Sequence, residues 1–75
     1  MPRLPRVSGR KAARAFEQAG FIRQRMRGSH AIYSLPDGSR PLSVPMTNKP
    51  LPPGTLRRLV RDAGLTVEEF IRLLD

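Results

Sequence analysis

The chain has 75 residues, a formal net charge of +8, one histidine and no cysteine. That length allows one domain with one core; the missing cysteines exclude disulfides and thiolate metal ligands, and one imidazole leaves little for a zinc site. No apolar run approaches the ~20 residues of a membrane span, and the basic start "MPRLPRVSG" lacks the apolar region of a secretory signal, so a cytoplasmic protein without metal or other cofactor is expected.

Residues 1–7, with Pro2 and Pro5, read as an extended arm, and residues 8–75 as a single domain. Ser8 is a good helix N-cap, with Val7 and Ala12 spaced as a hydrophobic staple. Ala12, Phe16 and Ala19 then recur on one helical face, and Gly20 suits the C′ position, so a helix is expected over residues 9–19. Arg10, Lys11 and Arg14 fall largely away from that apolar face.

The stretch "FIRQRMRGSHAIYSLPDGSRPLSVP" carries β-branched and aromatic residues and two turn signals, Gly28-Ser29 and Asp37-Gly38. It predicts three antiparallel strands over residues 21–27, 30–35 and 40–45, the third pushed toward an edge or a strand end by Pro41 and Pro45. A two-residue Gly28-Ser29 loop makes Arg27 and His30 a flanking pair. Strict alternation then puts Arg23, Arg25, Arg27, His30, Ile32 and Ser34 on one face, and Ile22, Gln24, Met26, Ala31, Tyr33 and Leu35 on the other.

Residues 46–53 form a proline-rich loop that leads into a helix. Pro53 fits the first helical turn, Leu56, Leu59, Val60 and Ala63 make an apolar stripe, and Gly64 ends it. In "LTVEEF", Thr66 and Glu69 form a capping box, Leu65 and Phe70 a staple, and Phe70, Leu73 and Leu74 an apolar face. The expected fold is α+β, in the order α-β-β-β-α-α. A three-stranded antiparallel sheet carries its helices on one face.

The charge is unevenly spread. Residues 1–40 hold nine Lys/Arg against Glu17 and Asp37, while residues 41–75 hold five against four acids. A concentrated basic region steers phosphate backbones and releases counterions on binding them. Twelve arginines against two lysines also fit a solvated surface encoded by a GC-rich genome, and an acidic protein partner fits as well.

The order α-β-β-β-α resembles the double-stranded-RNA-binding fold. The segments "SGRKAARAFEQAGF", "RMRGSH", "SVP" and "PPGTLRRLVRDAGLTVEEF" are similar to the HicA family of toxin ribonucleases (mRNA interferases) from bacterial toxin–antitoxin pairs, across residues 8–74. The most specific parts are Gly28-Ser29-His30 and Pro53-Gly54-Thr55-Leu56. The resemblance implies an RNA-cleaving toxin whose one functional histidine is His30, and a partner of the HicB antitoxin type. The family often has a second histidine beside the first and another after the third strand. Here those places are Ala31 and Thr47.

Metal-independent RNA cleavage needs a base at the 2′-hydroxyl, charge stabilisation at the phosphate and a proton for the leaving 5′-oxygen. Imidazole exchanges protons near neutral pH and suits either proton-transfer role. Arg23, Arg25 and Arg27 can hold phosphate, Gly28 and Ser29 can bring backbone N–H groups near it, and Lys49 offers a further contact. The blander readings are a surface histidine, a turn glycine and serine, and solvated arginines. Two other functions share these features: a non-catalytic RNA-binding module, and a small interaction protein with an acidic partner. Only the ribonuclease needs the imidazole.

Overall fold

A computed structural model describes residues 3–74. The first two positions of the expected arm and the last of the expected domain, Met1, Pro2 and Asp75, lie outside the described residues.

Helix α1 spans Gly9–Gln18, ending one residue short of the expected boundary because Ala19 is its C-cap. The Ser8 hydroxyl accepts from the Lys11 amide, which satisfies one of the helix's open N–H groups. Gly20 follows with φ 101°, a conformation that favours glycine. Ahead of the helix the chain is tied down. Val7 is buried, Leu51 N–H donates to its carbonyl, and Ser8 bridges Pro50.

Strands β1 (Ile22–Arg27), β2 (His30–Ser34) and β3 (Leu42–Pro45) form an antiparallel sheet in the order β1-β2-β3. Gly28, with φ 63°, and Ser29 make the two-residue turn that pairs Arg27 with His30. The second connection is longer than the Asp37-Gly38 signal suggested. Leu35 and Ser39 bond across it, Arg40 has φ 53°, and Pro41 lies outside the ladder. A third strand beginning at residue 40 is thereby corrected to one beginning at Leu42.

Helix α2 (Pro53–Asp62) buries Leu56, Leu59 and Val60, and helix α3 (Val67–Leu73) buries Phe70. The Arg40 guanidinium donates to the Asp62 carbonyl at 3.2 Å, where α2 needs partners for its last C=O groups. The expected capping box is present: Thr66 Oγ accepts from Glu69 N–H, and Glu69 Oε1 accepts from Thr66 N–H. α1 and α2 both pack on β3, and α1 packs on α3. Phe16 lies at the centre, with ring centroids 6.0 Å from Phe21 and 5.4 Å from Phe70. Burying each such ring is worth roughly 1.5–3 kcal/mol, so these contacts matter greatly to a small core. The order α-β-β-β-α-α and the antiparallel three-stranded sheet are as the residue pattern predicted.

Candidate nucleic-acid interface

β2 separates two environments by simple alternation. Ala31 and Tyr33 are buried beneath the helices, while His30 and Ile32 face the other way. Directly opposite residues share a face, so Arg27 across from His30 and Arg25 across from Ile32 join this helix-free side. The imidazole is exposed, and the Ser43 hydroxyl of β3 lies 3.4 Å from its Nδ1, at the long end of hydrogen bonding. That contact leaves Nε2 as the ring nitrogen available to solvent.

Arg23 does not join this group. The register slips between Arg23 and Arg25, leaving Gln24 as an extra residue in β1. Arg23 therefore pairs with Tyr33 on the helix side, and Gln24 turns to the side expected for Arg23. Strict alternation fails at this inserted residue, which reverses the side of every strand residue before it. Arg23 instead lines a cleft of about 460 Å³ with Arg10 and Arg14 of α1, above Glu17 and Tyr33.

Tyr33 closes the floor of that cleft. It is 1% exposed and donates to Glu17 Oε2 at 2.7 Å. Burial, then the bond to Glu17 and that carboxylate's charge, push the phenol's pKa up to about 12, partly countered by Arg23. Its role is packing and a buried hydrogen bond, not a platform for bases.

Gly28 and Ser29 sit at the exposed hairpin tip, where the Ser29 carbonyl accepts from Met46 N–H. Lys49 is exposed in the loop after β3, and its carbonyl accepts from the Thr47 hydroxyl. No hydrogen bond or ion pair among the described residues joins its ammonium to the hairpin. Thr47, which stands where the resemblance implies a histidine, has a structural task. Its hydroxyl accepts from Gly9 N–H and its carbonyl from Arg10 N–H.

One grouping was missed by reading residues in order. Gln24, Arg25, Ile32, Ser34, Pro36, Asp37, Gly38 and Pro41 line a second concavity of about 460 Å³ on the same face as His30. Its formation depends on the extra residue in β1 and on the length of the 35–41 connection.

Residues 9–65 match the family model of the HicA toxin of bacterial toxin–antitoxin pairs. The chain belongs to the HicA toxin family. Membership makes it a toxin component and implies a cognate antitoxin as its partner. No curated protein matches the chain. In this HicA-family toxin, no helix among the described residues is long and apolar enough to cross a membrane. No group of three or more His, Cys, Asp or Glu among those residues could hold a metal ion.

Proposed function

We propose that this chain is a ribonuclease toxin that cleaves single-stranded mRNA without a metal, through His30, and is silenced by a HicB-type antitoxin. The observation that carries the reading is the pairing of Arg27 with His30 and of Arg25 with Ile32 on the helix-free face. It sets an exposed imidazole beside two guanidiniums in a family of toxins.

In the proposed reaction, Arg25 and Arg27 hold phosphate oxygens and offset the charge that builds on them. His30 accepts the 2′-hydroxyl proton as the 2′-oxygen bonds to phosphorus. The bond from phosphorus to the 5′-oxygen breaks, and that oxygen takes a proton from water, leaving a cyclic phosphate and a free 5′-hydroxyl. The 2′-hydroxyl requirement excludes DNA. Ser43 beside Nδ1 supports an orientation in which Nε2 meets the substrate. Gly28 and Ser29 shape the tip that approaches the phosphate, and Lys49 is a peripheral contact.

The test is cleavage of single-stranded RNA by purified protein in chelator, beside His30→Ala. The expected loss is about 10²–10⁴-fold, the usual worth of a positioned general base. Undiminished cleavage by His30→Ala, or loss of wild-type activity in chelator, overturns the mechanism. Retained RNA binding with no cleavage by wild type favours a non-catalytic module. For the antitoxin, the expectation is silenced cleavage with amide protection over residues 23–34. Raised salt should slow association more than it speeds dissociation, because the basic half of the chain steers the encounter.

A further inference from the structure

We propose that the concavity beside His30 is a nucleobase subsite that accepts a base with an exocyclic amino group and rejects uracil. The inference rests on the reading of this chain as a ribonuclease and adds a specificity element to it.

Position comes first. His30, Ile32 and Ser34 alternate along one face of β2, and the last two line the concavity. Two strand residues rise ~6.6 Å, so the concavity starts about one nucleotide step from the imidazole. Its volume, about 460 Å³, lies within the range of small-ligand sites. Ile32, Pro36 and Pro41 supply apolar walls for the faces of a base, and Arg25 supplies a cation at the same place for the attached phosphate.

The polar groups set the preference. Ser34 donates its only hydroxyl proton to the Leu35 carbonyl at 3.0 Å. It can therefore only accept from Gln24, whose Nε2 lies 2.9 Å away. This orients the carboxamide and leaves Oε1 an acceptor with no partner among the described residues. Asp37 is held in the same manner. Ser39 N–H and Ser39 hydroxyl both donate to Oδ1, at 2.9 and 2.6 Å, and no hydrogen bond among the described residues engages Oδ2. Two preset acceptors in one concavity call for N–H donors. Adenine, cytosine and guanine bring amino groups. Uracil brings one N–H between two carbonyl oxygens, which would be set against acceptors. A base that seats here displaces water from both exposed acceptors, and one that offers them no donor leaves them unpaired; that cost is the source of discrimination.

The experiment uses the full chain carrying His30→Ala, so that RNA is bound and not cut. The probes are a short oligouridine and its variants with adenosine at each position in turn. One position is expected to raise affinity about tenfold, the scale of a good side-chain-to-base pairing. Gln24→Ala and Asp37→Asn, each added to His30→Ala, are expected to reduce that gain to less than about threefold. Asp37→Asn keeps Oδ1 for Ser39 in an exposed loop, so the test stands even if Gln24→Ala does not fold. Equal affinity for every probe, or a preference that survives in both variants, overturns the subsite while leaving the ribonuclease reading intact. No binding to any probe at low salt overturns both.

Discussion

The Tyr33 hydroxyl donates to Glu17 at 2.7 Å and so links the middle strand to helix α1. Burial is the leading reason that the phenol's pKa stands near 12, and the Glu17 bond and charge add to it. The folded value lies above the ordinary one of about 10, so the fold favours the neutral phenol. The stability this contributes is complete below pH about 10 and is lost as pH rises towards 12. The chain has one tyrosine, so phenolate absorbance reports this group alone. Glu17→Gln should lower the titration midpoint yet leave it above the ordinary tyrosine value, because burial persists. A midpoint unmoved by Glu17→Gln would assign the whole shift to burial.

The slip in β1 separates arginines that look equivalent in the sequence. Arg25→Ala and Arg27→Ala should each flatten the salt dependence of RNA binding by about one unit, similarly across sequences. Arg23→Ala, on the helix side with Tyr33, should change the slope much less. Fluorescence anisotropy over a salt series measures all three. Equal effects from the three variants would place RNA on both sides of β1.

Local signals made most of the architecture legible. Ser8, Gly20 and the Thr66–Glu69 pair act within a few residues of themselves, and the Gly28-Ser29 turn follows from backbone geometry. The position of Arg23 was not legible by alternation, since one inserted residue reverses every side chain before it. The apolar residues of β1 carried no clear correction, since Ile22 and Met26 are both about half exposed. The base-sized concavity was legible in neither respect. It needs that inserted residue to carry Gln24 across, and a connection whose path depends on Pro36, Arg40 and Pro41 together.

The start of α1 is packed without slack. A Cβ at Gly9 would collide with the Pro45 carbonyl oxygen, and Gly9 N–H is bonded to Thr47. Backbone is the obstacle, so no side-chain rotation can relieve it. Gly9→Ala should destabilise the protein by about 1–3 kcal/mol, as overpacked sites do. Urea unfolding followed by circular dichroism checks this. Because Pro45 is the cross-strand partner of His30, the amide shift of His30 should move in the same variant.

The capping box of α3 gives a stability prediction with a sign in pH. Thr66 N–H and the Thr66 hydroxyl hold the Glu69 carboxyl below the usual glutamate range. A depressed folded value means that the stabilisation is present above the ordinary glutamate range and is lost as pH falls through the folded value. Thr66→Ala should cost about 1 kcal/mol at neutral pH. The difference between variant and wild type should narrow in acid. Denaturant midpoints at neutral and acid pH measure it, and a difference constant with pH would show that the Thr66 hydroxyl takes no part in lowering the Glu69 carboxyl, which the backbone N–H still meets in the variant.

The ring of Phe16 meets that of Phe70 across the core, with 5.4 Å between centroids. Translation delivers these two rings far apart in time. Synthesis proceeds from the N-terminus, so Phe16 is made well before the aromatic group that completes its core. The His30 face is therefore fully supported only after α3 has emerged.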